Sequence, residues 1–430
     1  MSAEAAPAGM SRARAPRIDA LTGLRILPAL AVLLSHVGAP PWAGPHLSAF
    51  FDSGYAGVTV FFVLSGFVLT HNYFDRFVGQ FSARLVVSYF AARLVRVYPL
   101  YLLVLVWVTF PALWQGPLNH ELWLKHALGL QAWLGTLEDV YAFNGPGWSI
   151  SVEFFLYASF PLLVSLLLPV LSTPRRIGVA LVLVLGLIGG LTLYFYVTGY
   201  ANLPWTDPRS AHRWLYRNPA CRLGDFLLGM LAARLVACKL ALPPRWIGRG
   251  MVLASAAIVA LMCWPAHVWS AASWDISFAL PGAALIFFLA SAPPSSRSRW
   301  LASRPLVLLG EASYALYLCH VTALGRLESR SRKRQKAGSF RSVREGGSTG
   351  AIRCDLLVLA KEATCIGTCL SRWESESRRS RNGCSESVGS MCFFGRSGTS
   401  CSTKDSRKSS RQRTSGHVGP SRCRQPCWRW

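Results

Sequence analysis

Charged residues are scarce in this 430-residue chain, at only 15% of the total, whereas soluble domains carry about 25%. Acidic residues are the scarcest, with 20 Asp and Glu against 45 Lys and Arg, while hydrophobic residues reach 52%. So little charge beside so much apolar surface excludes an ordinary water-soluble enzyme. The composition favours a protein that is embedded in a membrane.

Two further patterns are missing. None of the 12 cysteines lies in a C-x2-C pair, and the common cysteine-based zinc sites need such pairs. We therefore expect no bound metal. The apolar segments also show no internal repeat, although transporters are often built from repeats.

Apolar runs of the length that crosses a bilayer recur along the first three-quarters of the chain. We place them near residues 22–38, 55–72, 97–114, 147–171, 177–198, 220–238, 250–264, 275–292 and 306–322. The sequence therefore predicts an all-α polytopic membrane protein with a bundle of about nine to ten transmembrane helices. Asp19, Arg25 and His36 make the first run too polar for a cleavable signal peptide, so we expect it to be retained.

The distribution of basic residues predicts the orientation, because loops on the cytoplasmic side are enriched in Lys and Arg. A cytoplasmic N-terminus places Arg76, Arg84 and Arg93 inside the cell. The basic residues within 209–217 are an exception, since this orientation places them outside. We expect a multi-pass protein of the bacterial plasma membrane.

The composition changes sharply near Leu324. Residues 1–322 hold 22 Lys and Arg against 12 Asp and Glu, whereas residues 323–430 hold 23 against 8. The sequence thus predicts a membrane domain over 1–322 and a basic Ser/Arg/Cys-rich tail over 323–430. The tail has three interpretations: an arm for anionic surfaces, a cysteine-based module, or out-of-frame translation of a GC-rich gene. We favour the last, and we expect disorder and no nucleic-acid partner.

Several polar side chains fall inside the apolar runs, where they are costly and often functional. His36 is either a hydrogen-bonded interior histidine or a proton acceptor that activates a hydroxyl. Glu153 begins the fourth run from the same outer side, so similar depth permits a pair with His36. Tyr157 follows Glu153 at i+4 and shares its helix face.

Basic pairs at helical spacing lie elsewhere. Arg93 and Arg96 are at i and i+3 before the third run, which is typical either of an ordinary basic flank or of a phosphate site, because guanidinium groups suit phosphates. Arg222 and Asp225 have the same spacing and are interpreted as an internal ion pair.

These elements occur together in one family. The chain resembles the acyltransferase-3 family of bacterial integral-membrane O-acyltransferases, of the polysaccharide O-acetyltransferase type. The resemblance covers roughly residues 17–322 and rests on Asp19 to Arg25 with His36, Phe61 to Phe67, Arg93 to Pro99, Trp148 to Tyr157, Arg222 to Gly229, and Leu309 to His320.

The resemblance implies transfer of an acyl group, usually acetyl, from cytoplasmic acyl-CoA to a hydroxyl of an extracytoplasmic glycan or similar acceptor. It implies acyl-CoA as the donor substrate and no bound cofactor. The implied site consists of catalytic His36 and Glu153, with Arg93, Arg96, Arg25 and Tyr157 binding substrate.

Two departures from the family pattern stand out. Asp225 occupies a position where the family pattern suggests the longer Glu, and the ninth helix is expected to break off after His320, where the family continues with another span. Three alternatives accompany the acyltransferase interpretation. The truncation suggests an inactive family member. The other two are a transporter or flippase with a buried His/Glu/Arg pathway and a receptor-like binding protein.

Overall fold

The computed structural model describes residues 18–79, 81–110, 113, 117–133, 136–167, 171–293 and 297–338. Within these ranges every regular element is helical and no β-strand occurs. The all-α prediction is confirmed. The predicted tail lies outside the described residues from residue 339 onward.

The helices follow one another with short connections. They are α1 Asp19–Leu24, α2 Ile26–Val37, α3 Pro45–Asp52, α4 Ala56–Gly79, α5 Ala83–Thr109, α6 His120–Ala127, α7 Leu137–Tyr141, α8 Trp148–Leu167, α9 Pro174–Val197, α10 Leu223–Ala237, α11 Pro244–Met262, α12 Ile276–Ser291 and α13 Arg304–Gly338. A π-helical segment, His212–Arg217, precedes α10.

Eight helical segments of the described residues are long and apolar enough to cross a membrane. They match eight of the nine apolar runs. The remaining run corresponds to α10, which has 15 residues and is shorter than the span of about 20 residues that a bilayer requires. The chain is therefore a multi-pass membrane protein.

Large apolar side chains on the surface support this conclusion. On α9, Leu183 and Leu187 are 67% and 69% exposed, and on α11 Val252 and Leu253 are 68% and 69% exposed. Soluble proteins rarely display such continuous apolar surface. These faces of α9 and α11 are suited to contact with lipid chains.

Helix α4 lies at the centre of the bundle and packs against α2, α8, α10 and α12. Its backbone meets α10 directly: a Cβ atom at Gly66 would collide with the carbonyl oxygen of Phe226, and one at Gly229 with that of Val63. Small residues allow such close approach between membrane helices. The two glycines therefore determine the distance between α4 and α10.

Helix α13 differs from the expected ninth helix. It does not break off after His320 but continues to Gly338, and its apolar part reaches Leu327. Residues 326–336 are mostly Arg, Lys, Glu, Gln and Ser, and the long charged side chains among them favour helix. The expected break was wrong, because residues that are too polar for a membrane span can still continue the helix. The domain boundary at residue 322 stays a prediction.

The α4–α10 contact gives a stability prediction. Gly229→Val forces the two backbones apart, because the added side chain meets the Val63 carbonyl, and overpacking of this kind costs about 1–3 kcal/mol or more. We expect a lower thermal midpoint for the detergent-solubilised protein, measured by intrinsic fluorescence. Gly186→Val is the control, since nothing lies within 4 Å of its Cβ position. Equal midpoints for the two variants would contradict the role given to Gly229.

Candidate active site

His36 lies in the last turn of α2, just before Gly38 ends the helix with a positive φ of 81°. Its ring is exposed. The Nδ1 atom is 2.9 Å from the carbonyl oxygen of Val32 and 3.3 Å from Nε2 of His320. The two imidazole rings meet edge to face, with centroids 4.6 Å apart and planes inclined by 77°. One side of the His36 ring thus packs against His320, and the other side is exposed.

His320 is the functional candidate that sequence reasoning missed. It is 2% exposed, and its Nδ1–H donates to the carbonyl oxygen of Tyr317. The sequence contained a signal, because His320, like His36, is a histidine inside an apolar helix. Only the packing of α13 against α2 reveals that the two histidines meet.

Glu153 lies on the second turn of α8 and is half-buried. The hydroxyl of Tyr157 donates to its Oε2 at 3.1 Å, and the hydroxyl of Ser65 lies 3.5 Å from its Oε1. Arg25 and Arg96 are the positive charges that act on it. The carboxylate therefore has both neutral donors and cationic neighbours.

Three guanidinium groups gather near this carboxylate. Arg25, Arg93 and Arg96 all lie within electrostatic range of Tyr157 and of one another. Nη2 of Arg93 donates to the hydroxyl of Tyr73 at 3.2 Å, and the guanidinium lies 5.4 Å from the centre of that ring. We call Arg25, Arg93, Arg96, Glu153 and Tyr157 the arginine cluster.

The arginine cluster borders accessible space. Arg25, Arg93 and Glu153 are half-buried and Arg96 is exposed, whereas Tyr157 is buried. With Glu153 ionised, three positive charges face one negative charge. Such a site attracts polyanions, and guanidinium groups bind phosphate oxygens in pairs.

A cavity of about 310 Å³ opens beside the arginine cluster, between α5, α8 and residues 127–128. Arg93 and Tyr157 form its polar end, and Phe90, Leu94 and Phe154 line much of the rest. The cavity can hold a slender chain with an apolar portion whose charged end lies near the arginines.

The segment that contains α6 and α7 closes this cavity on one side. The hydroxyls of Tyr98 and Tyr101 donate to the carbonyl oxygens of Ala127 and His126 at 3.0 and 2.6 Å. Burial lowers the pKa of His126, so its ring is neutral near pH 7. Its Nε2–H donates to the carbonyl oxygen of Asp139 at 2.8 Å, which ties α6 to α7.

The structure brings together five of the six predicted site residues in the arginine cluster. The sixth, His36, lies apart from them and does not contact Glu153. In the described part of the chain, the side-chain hydrogen bonds of Glu153 go to Ser65 and Tyr157, and no ion pair joins it to His36. The predicted pair is therefore not formed. His320 occupies the position beside His36 that the prediction gave to Glu153.

The starting depth of α8 explains the difference. The hydroxyl of Tyr317 donates to Oγ of Ser149 at 2.8 Å, so the first turn of α8 packs about one turn before His320 along α13. Glu153 lies about one further turn along α8, which adds about 6 Å. Arg25 is eleven residues before His36, a separation of about 16 Å along a helix, and Glu153 associates with the Arg25 end.

Arg222 forms the predicted ion pair with Asp225, with Nη1 3.1 Å from Oδ2. Both side chains are fully buried, and Oδ1 of Asp275 lies 3.8 Å from the same guanidinium. Nη2 of Arg222 donates to Oγ1 of Thr59 and Nη1 donates to the carbonyl oxygen of Trp274, each at 2.6 Å. Sequence spacing identified Asp225 but had no means of finding Asp275, which precedes α12.

Within the described ranges, no group of three or more His, Cys, Asp or Glu side chains is arranged to hold a metal ion.

The chain is similar to known proteins over most of its length. A family model described as an acyltransferase domain matches residues 18–334. The chain is 30% identical over 328 residues to the acyltransferase MdmB of Streptomyces mycarofaciens, a match that covers 71% of this chain and 79% of that protein.

Two relatives from Staphylococcus aureus are more distant. The O-acetyltransferase OatA is 24% identical over 322 residues, covering 70% of this chain and 50% of OatA. A putative O-acetyltransferase is 25% identical over 331 residues, covering 73% of this chain and 51% of that protein. The matched region thus spans about half the length of these two relatives. No solved structure matches the chain.

The buried ion pair gives a prediction about the framework of the site. Arg222→Met leaves two buried carboxylates without a cation, and breaking a buried pair in this way costs about 3–5 kcal/mol. We expect a large fall in the thermal midpoint of the purified protein. Arg209→Met is the control, because the Arg209–Asp207 pair is exposed and exposed pairs contribute little. A variant of Arg222 as stable as the control would contradict the structural role.

Proposed function

Because the chain belongs to the acyltransferase-3 family, whose acyltransferase domain matches residues 18–334, we propose that this membrane acyltransferase moves an acyl group, most simply acetyl, from acyl-CoA to a hydroxyl. The acceptor in this proposal is an extracytoplasmic glycan or a similar molecule. The donor approaches from the cytoplasm. The observation that carries the proposal is the arginine cluster beside a narrow cavity, at one end of helices whose other end presents His36.

The arginine cluster suits the phosphates of acyl-CoA. Arg93 and Arg96 lie one turn apart on α5 and are accessible, and Arg25 adds a third guanidinium from the start of α2. Charge-assisted hydrogen bonds to phosphate are about twice as strong as neutral ones. In this proposal the phosphates stay at the cluster while the slender thioester arm uses the cavity of about 310 Å³.

Glu153 and Tyr157 have a supporting task in this proposal. The carboxylate attracts the guanidinium groups of Arg25 and Arg96 and accepts from the hydroxyl of Tyr157. One negative charge among three positive ones keeps the arginines close without cancelling their attraction for phosphate. Glu153 therefore orders the donor site rather than orienting His36.

His36 supplies the proton-accepting nitrogen. An exposed neutral imidazole is suited to remove a proton from the acceptor hydroxyl as its oxygen attacks the thioester carbonyl. The carbon–sulfur bond then breaks, and the sulfur leaves as a thiolate that takes up the proton from the histidine. A transient acyl group on His36 is the other route by which the same nitrogen can act.

The arginine cluster and His36 lie at opposite ends of the helices. This separation fits a donor and an acceptor that approach from opposite sides of the membrane. We propose that the N-terminus is cytoplasmic, because basic residues follow the ends of α4, α8 and α12 and precede α11, as the positive-inside rule requires. His36 then lies near the outer surface of the plasma membrane. The names of the two Staphylococcus relatives support transfer of acetyl to oxygen.

Transfer is tested in cells by the base-labile acetate of the envelope fraction. We expect His36→Gln to reduce it to the level of cells without the gene, because the proton acceptor is lost. His46→Gln is the matched control, since His46 is another exposed histidine, on the neighbouring helix α3. Both proteins must be present in the membrane in equal amounts. Unchanged acetate in the His36 variant would remove this residue from the mechanism.

Donor binding is tested with acetyl-CoA and isolated membranes. We expect Arg93→Gln and Arg96→Gln each to raise the KM for acetyl-CoA by about tenfold or more, because one charged hydrogen bond contributes about 1.5–3 kcal/mol. Arg84→Gln on the same helix is the control, because Arg84 does not belong to the arginine cluster. If all three variants share the wild-type KM, the phosphates bind elsewhere.

A further inference from the structure

We propose that His320 is a positioning residue that holds His36 in the one tautomer whose exposed Nε2 atom is free of hydrogen. This inference rests on the proposed function of His36. It assigns a task to a buried histidine that the acyl-transfer proposal itself does not use.

His320 is the buried member of the histidine pair. The Nδ1 atom of His320 lies against the carbonyl oxygen of Tyr317, and a carbonyl oxygen can only accept a hydrogen bond. The hydrogen of a neutral His320 is therefore on Nδ1. It follows that Nε2 of His320 carries a lone pair, and this atom faces His36.

The Nδ1 atom of His36 must therefore be the hydrogen-bond donor in this contact. Its Nδ1 lies 3.3 Å from the lone pair of His320 and 2.9 Å from the carbonyl oxygen of Val32. Both partners are acceptors, so the hydrogen of His36 resides on Nδ1 and is shared between them. The opposite tautomer would direct three lone pairs at one another without a hydrogen between them.

Ser35 also favours the tautomer of His36 that carries its hydrogen on Nδ1. Its hydroxyl donates to the same carbonyl oxygen of Val32 at 2.8 Å. The hydrogen of Ser35 is thus committed, and the oxygen 3.4 Å from Nδ1 of His36 presents lone pairs to it. The carbonyl oxygen of Val32, Nε2 of His320 and the oxygen of Ser35 are thus all acceptors toward Nδ1, and Nε2 is left as the basic nitrogen.

The same contact assists the reaction. The acceptor hydroxyl transfers its proton to Nε2 of His36 as its oxygen bonds to the acyl carbon, and the imidazole becomes a cation. The Nδ1–H of that cation then donates a stronger, charge-assisted bond to Nε2 of His320. When the carbon–sulfur bond breaks, the thiolate receives the proton from Nε2, and the pair returns to its starting state. His320 gains no proton at any step.

The activity test compares three forms of the whole protein in membranes. His320→Leu removes the acceptor, and we expect kcat to fall about 10-fold to 100-fold while the KM for acetyl-CoA changes little. His320→Gln is the conservative variant, since its side-chain oxygen can accept from Nδ1, and we expect it to recover most of the loss. A glutamine variant as impaired as the leucine variant would overturn the role of His320 as an acceptor.

The second readout does not depend on transfer. Nitrogen-15 labelling of histidine distinguishes a hydrogen-bearing ring nitrogen from a bare one by NMR, and His36→Gln and His320→Gln assign the two sets of signals. In the wild-type protein we expect a bare Nε2 on both His36 and His320, and a mixture of tautomers at His36 in His320→Leu. A hydrogen on Nε2 of His320 in the wild-type protein would overturn the proposal even if the leucine variant fails to fold.

The two measurements separate this inference from the proposed function. If the wild-type protein has no transfer activity but shows the expected tautomers, the acyl-transfer proposal fails and the positioning contact stands. If transfer is normal and the tautomer of His36 is the same with and without His320, the positioning role fails alone.

Discussion

Helix α4 approaches α10 backbone to backbone where Gly66 faces the carbonyl of Phe226 and Gly229 faces that of Val63. The functional groups depend on this contact. Ser65, the neighbour of Gly66, is directed toward Glu153, and Thr59 on the same helix accepts from Arg222 at the start of α10. A side chain in place of either glycine would move α4 as a whole. The contact between Ser65 and the Glu153 carboxylate therefore depends on two glycines that have no side-chain chemistry of their own.

Polar groups in the described part of the bundle are divided between two ends rather than gathered in one triad. At one end, three arginines share one carboxylate, an arrangement that keeps a positive surplus for an anionic ligand. At the other end, the imidazoles of His36 and His320 face one another, and Val32 and Ser35 present acceptor oxygens to His36. Each end suits the step proposed for it, because phosphate binding needs fixed positive charge, while proton removal needs an uncharged base.

Much of this arrangement could be predicted from the sequence, and the part that could not has a physical cause. Hydropathy located the spans because bilayer thickness sets helix length, and i, i+3 spacing found the Arg222–Asp225 pair. The depth of Glu153 was out of reach, since it depends on where residues 117–147 let α8 begin. The His36–His320 contact and the approach of Asp275 join residues far apart in sequence. Such contacts arise from packing, which periodicity along one helix does not reveal.

The separation of the two ends bears on specificity. If the donor phosphates stay at the arginine cluster, only the acyl group and its sulfur need to reach His36, so changes in the acceptor leave the donor site untouched. The described residues that support His36 are backbone carbonyls, a serine and a buried histidine, none of which can recognise a particular acceptor. Selection of the acceptor then belongs to the surface around the exposed face of His36. One membrane bundle can in this way serve different hydroxyl acceptors with the same donor chemistry.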